Sequence, residues 1–304
     1  MSRRVLLILN PTARAGRAGR LASDARSLLA AAGCAVEWRE TTGPGHATAM
    51  AAAAAGGFDV IAAAGGDGTA REVCSGVLGS SRPEQPVVLL PLGTGNDLAH
   101  VAGTGSLTDA ARAAAVGAPR RFDAIEVACA TESGPALTHA FCFAAVGLAA
   151  DVVRLTTPRL KRLLGPLLCY SAGFFRALAG YRPVAARVTA DGAPREDDYL
   201  LICAGNTARA GGRMMHLSPG ASPHDGSLDL SLIRATGRLE VALQFIRLLR
   251  GTHVRHPRAA YFPAREIVVS TRSHAEVQLD GDTVGATPAR FTVRPEALRL
   301  IAPP

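Results

Sequence analysis

The sequence has 304 residues and 48% of them are hydrophobic, so the chain can form a sizeable core and is not expected to be disordered. Its formal net charge at pH 7 is +8, and Lys161 is the only lysine, so arginine carries almost all the positive charge. This balance favours an anionic partner such as a nucleotide or an acidic lipid surface. No nucleic acid is expected as a partner, because no basic stripe interleaved with aromatic residues and no nucleic-acid-binding motif is present.

Cysteine usage and hydropathy indicate a cytoplasmic protein. The six cysteines are scattered among apolar residues, with neither a Cys-x-x-Cys pair nor a zinc-like spacing, which is typical of reduced core residues. The longest uncharged apolar stretches, Ala140 to Ala150 and Leu163 to Phe175, are shorter than the ~18 residues that span a bilayer.

The first 122 residues alternate between strand and helix patterns, which predicts a parallel α/β domain with helices on both faces of its sheet. The predicted strands are Val5 to Leu9, Ala35 to Glu40, Asp59 to Ala64 and Val87 to Leu92. The predicted helices are Gly19 to Ala32, His46 to Ala55, Ala70 to Leu78 and one that begins near Leu98.

From residue 123 to residue 304 the strand patterns come with hairpin signals, such as Asp191-Gly192, and predict an antiparallel sandwich or open barrel. The extreme C terminus is left free to return to the N-terminal domain. The predicted strands cover residues 124–130, 141–146, 186–190, 199–204, 228–234, 266–271, 275–279 and 291–294. Two predicted helices cover Arg159 to Ala179 and Arg238 to Gly251.

Two glycine turns at the ends of predicted strands indicate a nucleotide-phosphate site. The first glycine loop is Gly65-Gly66-Asp67-Gly68-Thr69, and the second glycine loop is Gly93-Thr94-Gly95-Asn96-Asp97. Glycines let the backbone approach an anion, and a following helix directs free N–H groups and its positive dipole end to the same point. Neighbouring strand ends of an open α/β sheet form a ligand crevice.

Individual side chains of these loops suit a magnesium nucleotide. Thr69 would bind phosphate through its hydroxyl, whereas Asp67 would face a divalent cation or organise the turn. Asn96 and Asp97 are expected to be N-cap residues of the next helix. A third loop after the first strand could add Asn10, Thr12 and Arg14 to the nucleotide site.

Other phosphate-binding and catalytic motifs are missing from the sequence. The P-loop, the dinucleotide-binding fingerprint and the Gly-x-Ser-x-Gly nucleophile elbow do not occur. His253 and His256 have metal-ligand spacing, but with arginines nearby and no acidic partner they are interpreted as solvated.

Several motifs, in this order and spacing, resemble the catalytic domain of the diacylglycerol kinase family, which includes bacterial lipid kinases and sphingosine kinases. The resemblance covers nearly the whole chain. It rests on Asn10-Pro11, the first glycine loop followed by Glu72, Pro91 to Asp97, Phe141 to Asp151, Asn206, Gly211-Gly212, Met215, Pro219, Asp225 to Asp229, and Val277 to Asp282.

The resemblance implies an ATP- and Mg²⁺-dependent lipid kinase with an NAD kinase-like N-terminal domain and a C-terminal β-sandwich. Asp282 would be the general base, with Asp67 organising magnesium and phosphates and Asp280 supporting the turn. A structural magnesium would bind Asp225 and the backbone carbonyls of Ser222 and Ser227. The nucleotide-binding residues would be Asn10, Thr12, Thr41, Gly65, Gly66, Asp67, Gly68, Thr69 and Thr94, with Thr42 competing for the place of Thr41.

This chain departs from the family pattern at three positions. Arg71 replaces the usual asparagine, Ala144 or Ala145 stands where an asparagine is common, and Asp282 replaces the commoner glutamate. The shorter side chain of Asp282 could lower activity or indicate a different acceptor, but aspartate remains a reasonable base because protein kinases orient a substrate hydroxyl with one.

The expected partner is a lipid substrate at a membrane surface, in phospholipid metabolism, with the protein at the inner face of the membrane as one option. The basic, leucine-rich segment Arg159 to Leu168 is a candidate for peripheral membrane contact, or covers the second domain as a helix. A homodimer is left open. The alternatives are an NAD kinase or phosphofructokinase type of small-molecule kinase, and a non-catalytic nucleotide or lipid sensor with the same fold.

Overall fold

A computed structural model describes residues 2–13, 18–156, 169 and 171–304, with the side chains of residues 18–22 left out of the description. The chain divides into two compact units. Unit 1 comprises Met1–Phe122 together with Glu296–Pro304, and unit 2 comprises Asp123–Pro295. The two boundaries fall within strands β5 (Ala118–Thr131) and β14 (Asp282–Ala302).

Unit 1 contains a sheet in which β2, β1, β3 and β4 are neighbours and pair in parallel. The end of β14 joins it, with Leu300 beside Val87 in parallel. The elements of this unit are β1 (Arg4–Leu9), α1 (Ala18–Ala31), β2 (Ala35–Glu40), α2 (His46–Ala54), β3 (Val60–Gly65), α3 (Asp67–Leu78), β4 (Val87–Pro91), α4 (Asp97–Val101) and α5 (Leu107–Val116).

The strands of unit 1 differ in burial according to their place in the sheet. Val5 to Leu9 and the whole of β3 are buried, which is why both read as continuous apolar runs. The edge strand β2 is largely exposed and carries Trp38, which lies under the Arg26 guanidinium. The core of the unit gathers Val5, Leu7 and Leu9 with side chains from α1 and α5.

Unit 2 is built from antiparallel pairs. One series of neighbours runs β11-β10-β9-β7-β13-β14, while β12 pairs with both β14 and β8, and β8 pairs with β9. The elements are β6 (Gly134–Ala140), β7 (Phe143–Gly147), α6 (Leu148–Leu155), β8 (Val184–Ala190), β9 (Ala193–Gly205), β10 (Leu228–Arg234), α7 (Arg238–Leu249), a 3-10 helix (His253–Arg255), β11 (Ala259–Ala264), β12 (Glu266–Thr271) and β13 (Glu276–Leu279). Residues 171–179 are also helical.

One apolar core lies within unit 2 and draws on most of its strands, including Val146 of β7, Ile202 of β9 and Phe291 of β14. The predicted hairpin at Asp191-Gly192 is confirmed, since Ala190 faces Ala193 and both turn residues have positive φ. Only part of the predicted helix over Arg159 to Ala179 is described, because residues 157–168 and 170, which include the candidate membrane segment, lie outside the described residues.

Among the elements described, two α-helices, two strands and the 3-10 helix escaped prediction. Helices α5 and α6 lie in alanine-rich sequence, and the N terminus of α5 depends on Ser106, whose hydroxyl accepts the Asp109 backbone N–H. Strands β6 and β11 contain prolines, which weaken a strand pattern, and their sheet pairings run to one neighbour each, β5 and β10 respectively. None of the helices described is long and apolar enough to cross a membrane. All six cysteines are buried, and none of them forms a disulfide.

Candidate functional site

The two glycine loops touch through their backbones. A Cβ atom on Gly93 would lie 2.3 Å from the Gly66 Cα and 2.8 Å from the Asn96 Oδ1, so a larger residue would force the loops apart. Gly65 is equally confined, because its Cβ would meet the Thr69 hydroxyl at 2.3 Å. Glycine is therefore required at these positions for close packing of backbone and side chain.

Asp67 ties the first glycine loop to the second. One carboxylate oxygen accepts the backbone N–H of Asn96 at 2.7 Å, and the other accepts that of Asp97 at 2.6 Å. Asp67 also begins α3, where a negative charge is favoured by the helix dipole. Of the two roles considered for Asp67, these contacts favour organisation of the turn.

The expected capping of α4 by Asn96 and Asp97 side chains needs correction. Asn96 is the N-cap by position, but it has φ 54° and, within the described residues, its side chain makes no capping bond. Its amide oxygen accepts the Gly93 N–H at 2.9 Å, and its amide nitrogen donates to the Gly93 carbonyl at 3.0 Å. Asp97 is the first residue of α4, so the acceptor for this helix start comes from Asp67, which is distant in sequence.

A cavity of about 360 Å³ lies beside the first glycine loop within unit 1. Five residues predicted for the nucleotide contribute to its lining, together with Thr42, the stated alternative to Thr41. The five are Asn10, Thr12, Thr41, Gly68 and Thr69. The volume lies near the lower end of the range of about 300–1,000 Å³ that ligand pockets occupy.

Hydrogen bonds hold one wall of this cavity. The Asn10 amide nitrogen donates to the Thr69 hydroxyl at 3.1 Å, which links the first β-strand end to the first glycine loop. The Asn10 amide oxygen accepts the Thr12 N–H at 3.0 Å and the Thr12 hydroxyl at 2.8 Å. Asn10 therefore fixes two hydroxyl groups that face a shared space.

Glu72 is a residue of this cavity that the site prediction missed. Its carboxylate accepts the Gly45 N–H at 3.0 Å and the Ala47 N–H at 3.2 Å, and so satisfies the N terminus of α2. Gly45, the N-cap of α2, has no side chain to do this. An acid following the first glycine loop and a glycine N-cap were the available signals, but their proximity depends on the packing of α2 against α3.

The remaining predicted nucleotide residues have different positions. Among the described residues, Thr94, Asn96 and Asp97 are not part of the cavity lining, and neither are Gly65, which packs against Thr69, and Gly66, which packs against Gly93. Thr94 is exposed. The interpretation of Arg14 falls outside the described residues.

In unit 2, Asp280 organises the turn between β13 and β14. Asp280 and Gly281 have φ values of 51° and 97°, and Leu279 faces Asp282 across a two-residue hairpin. The Asp280 carboxylate accepts backbone N–H groups from Phe141, Cys142 and Phe143 at 2.8, 2.8 and 2.9 Å. The hairpin is therefore fastened to the start of β7.

Asn206 fastens the same segment from another side. Its side-chain amide donates to the carbonyls of Asp123 and Phe141 at 2.9 and 2.8 Å, and its backbone N–H donates to the Cys142 carbonyl at 2.8 Å. Asp282, the predicted base, begins β14 immediately after this fixed turn, and its side chain is exposed. The hairpin thus carries an exposed carboxylate on a turn that backbone hydrogen bonds hold in place.

The predicted metal residues lie on a turn between Ser222 and Ser227. The Asp225 carboxylate accepts the Ser227 N–H and hydroxyl, both at 3.0 Å, and Asp123 accepts the Gly226 N–H at 2.8 Å. Burial, together with the charge of Asp225, raises the pKa of the neighbouring Asp229 carboxyl. No group of three His, Cys, Asp or Glu side chains that could hold a metal is found in the described part of the chain.

The interpretation of His253 and His256 as solvated is wrong. His253 is fully buried, and its Nε2 lies 3.2 Å from the Leu217 carbonyl oxygen; burial lowers the pKa of its imidazole. The His256 Nε2 lies 3.1 Å from a Glu240 carboxylate oxygen. The acidic partner was missed because Glu240 is sixteen residues away in sequence and approaches only through the return of the chain after α7.

Two family models match this chain. The diacylglycerol kinase catalytic domain matches residues 4–127, and the YegS C-terminal NAD kinase beta sandwich-like domain matches residues 143–302. A diacylglycerol kinase of Staphylococcus aureus (strain bovine RF122 / ET3-1) is 29% identical over 309 residues, which cover 100% of this chain and 93% of that protein.

Solved structures share the fold. A diacylglycerol kinase from Bacillus anthracis (strain Sterne) has a TM-score of 0.72 at 21% identity, with 99% of this chain and 97% of that chain covered. Yeast NADH kinase complexed with NADH has a TM-score of 0.53 at 12% identity, with 99% and 84% covered.

These findings define the class as a kinase with an NAD kinase-like fold, comprising an N-terminal domain and a C-terminal β-sandwich domain. Within that class the chain belongs to the diacylglycerol kinase-like family, and it is a lipid kinase.

Proposed function

We propose that this enzyme transfers the γ-phosphoryl group of ATP to the hydroxyl of a diacylglycerol-like or sphingoid lipid, with Mg²⁺ as its metal cofactor. The observation that carries the proposal is the unit 1 cavity, where Asn10 positions the hydroxyls of Thr12 and Thr69 beside a glycine loop that Asp67 holds in place. The relatives named diacylglycerol kinase support a lipid acceptor.

The nucleotide phosphates would bind at the N terminus of α3. Helix α3 spans twelve residues, and its first free N–H groups and positive dipole end favour an anion. Gly68 would bind through its backbone, and Thr69 and Thr12 through their hydroxyls, while Thr41 or Thr42 would close the opposite side. In this arrangement Asp67 and Glu72 act on the loops, and the neutral donors contact the phosphates.

The chemistry of the residues fits Mg²⁺, which prefers carboxylate and carbonyl oxygen ligands. Asp225 with the carbonyls of Ser222 and Ser227 would hold a structural ion. Mg²⁺ bound with the nucleotide would neutralise phosphate charge that develops during transfer.

Asp282 would accept the proton of the lipid hydroxyl as that oxygen forms its bond to the γ-phosphorus and the bond to the β-phosphate oxygen of ATP breaks, releasing ADP. Asp280 is a positioning residue in this scheme, because its three backbone contacts fix the turn that carries Asp282. In this proposal the enzyme would act on its lipid at the inner face of the membrane, in phospholipid metabolism.

The proposal is tested with γ-labelled ATP, Mg²⁺ and a panel of lipid alcohols in mixed micelles. We expect label in an organic-soluble product for at least one lipid. Asp282→Asn should lower that rate by roughly a hundredfold or more, because general-base catalysis contributes about 10²–10⁴-fold. ATP affinity should be unchanged, Asp282→Glu should retain most of the activity, and Asp24→Asn, an exposed aspartate on α1, is the control.

Label found only in inorganic phosphate, or only in a phosphorylated NAD when NAD is added to the panel, would contradict a lipid acceptor. Full turnover by Asp282→Asn at unchanged ATP affinity would show that another group handles the proton.

A further inference from the structure

Helix α7 carries apolar side chains on its solvent side. Leu239, Leu243 and Ile246 are 79%, 42% and 46% exposed, and their spacing of four and three residues places them on one helix face. The opposite side of the helix is already packed, with Val241 buried and Phe245 stacked on Phe174 at 4.1 Å between ring centroids. The apolar stripe formed by Leu239, Leu243 and Ile246 is therefore separate from the residues that attach α7 to unit 2.

The helical residues 171–179 pack against α7 and carry a further exposed aromatic side chain. Phe174, which stacks on Phe245, also meets Phe175 edge to face at 5.5 Å, and Phe175 is 58% exposed. In the part of the chain that the structure describes, eight large hydrophobic side chains are strongly exposed, and four of them belong to these two helices. Such concentration marks an interaction surface, whereas single exposed apolar residues are ordinary.

Arginines flank the apolar stripe. Arg238 and Arg250 are exposed at the two ends of α7, and Arg250 continues the spacing of the stripe, four residues after Ile246. The only acid of α7 is Glu240, whose carboxylate is paired with Arg247 and lies beside His256. The face thus combines apolar side chains with positive charge that Glu240 does not neutralise.

We propose that this face, defined as Leu239, Leu243, Ile246 and Arg250 together with Arg238, docks the enzyme on an anionic lipid bilayer. Apolar side chains enter the interfacial zone of a bilayer while neighbouring arginines contact lipid phosphates. This inference rests on the proposed function, because a lipid acceptor would lie in such a bilayer.

A second copy of the chain is a poorer occupant of the same face. In a two-fold symmetric dimer the face would meet itself, and Arg238 and Arg250 of one copy would approach the same arginines of the other. Glu240, the only acid of the helix, is already paired with Arg247 and does not offset these positive charges. Like charges across an interface disfavour association. Anionic head groups complement the face without this repulsion.

Vesicle sedimentation of the full chain tests the docking. The vesicles are phosphatidylcholine alone, or phosphatidylcholine with phosphatidylglycerol. We expect the parent protein to bind the anionic vesicles, and Leu239→Gln/Leu243→Gln to lower the partition coefficient about tenfold or more. Leu137→Gln is the matched control, since Leu137 is 66% exposed on β6 and should leave binding unchanged.

The contribution of charge is tested by Arg238→Gln/Arg250→Gln. Each arginine near an anionic surface contributes ~1 kcal/mol, so we expect roughly a fivefold loss per residue on anionic vesicles. Vesicles of phosphatidylcholine alone should show little difference between this variant and the parent. Circular dichroism of each variant checks that the fold is retained.

Unchanged vesicle binding by the folded Leu239→Gln/Leu243→Gln variant would overturn the docking proposal. Light scattering that shows a parent dimer and a monomeric variant, with equal vesicle binding, would assign the face to a second copy and also overturn the docking proposal.

Phosphorylation of a short-chain, water-soluble diacylglycerol separates the docking proposal from the proposed function, because we expect it to be equal in parent and variant. If the parent phosphorylated neither this diacylglycerol nor a short-chain sphingoid base, the proposed function would be rejected, whereas vesicle binding would still decide the docking.

Discussion

Replacing Asp67 with asparagine should loosen the second glycine loop even without a ligand. The carboxylate accepts the Asn96 and Asp97 N–H groups at 2.7 and 2.6 Å, and asparagine retains only one acceptor oxygen. Hydrogen bonds to charged groups contribute about 1.5–3 kcal/mol each. Loss of one bond, with an amide NH₂ turned toward a backbone N–H, should cost ~2–3 kcal/mol locally.

Hydrogen exchange followed by mass spectrometry measures this cost directly. A local opening free energy reduced by ~2 kcal/mol corresponds to exchange roughly 30-fold faster in the segment 93–101. Asp109→Asn is the matched control. Asp109 lies in the first turn of α5, where its carboxylate accepts the Ser106 hydroxyl at 2.6 Å in an exposed position, so we expect a cost of at most ~1 kcal/mol.

Exchange in segment 93–101 that is unchanged in ligand-free Asp67→Asn would refute the role given to this carboxylate. A residue that serves only as a magnesium ligand would alter metal-dependent nucleotide affinity and leave the ligand-free exchange untouched. The two roles therefore give different results in the same pair of measurements.

Three further predictions follow from contacts elsewhere. Glu72→Gln keeps one acceptor for the Gly45 and Ala47 N–H groups, so ATP affinity measured by calorimetry should fall about tenfold as the cavity wall loosens. Asp280→Asn should lower the free energy of unfolding in urea by ~2–3 kcal/mol, because at least one of three backbone contacts is lost. Burial lowers the pKa of His253, so at acid pH the folded chain binds fewer protons than the unfolded chain. The contribution of His253 to the free energy of unfolding is therefore fully present above the ordinary histidine pKa. It falls as the pH drops below that value, by at most ~1.4 kcal/mol per pH unit.

Each of these has a contradicting outcome. Parent-like ATP affinity in Glu72→Gln would show that the α2 loop is held by other contacts, and Glu84→Gln, on an exposed turn, controls for lost charge. An unchanged urea midpoint for Asp280→Asn would remove its structural role. His253→Gln should flatten the acid limb of the stability curve only in part, since burial lowers the pKa of His139 as well, and an unaltered limb would locate the proton uptake elsewhere.

The sequence predicts what depends on local pattern. The buried strands β1, β3 and β4 follow from continuous apolar runs, and the turn at Asp191 follows from an Asp-Gly pair whose two residues both adopt positive φ. Strand β6 escapes because it is half exposed and begins with Gly-Pro, which removes both periodicity and propensity.

Contacts between segments that are far apart in the sequence cannot be predicted from local sequence patterns. Asp67 was recognised as an organiser or a cation ligand, but its choice of the Asn96 and Asp97 N–H groups depends on how β3 and β4 end beside each other. Glu72 and His253 were misjudged for a similar reason, since α2 and the Leu217 carbonyl approach them only after packing. Local arginines around His253 suggested solvent, whereas tertiary contacts decide its burial.

Binding of a nucleoside triphosphate in the unit 1 cavity is tested most directly by hydrogen exchange with and without Mg²⁺-ATP. We expect protection of residues 41–47 and 66–72, which contribute to the cavity, and weaker protection in Thr69→Val because the hydroxyl bonded to Asn10 is removed. Saturating ATP that leaves both segments unprotected, or that protects only segments outside the cavity, would contradict the assignment of this site.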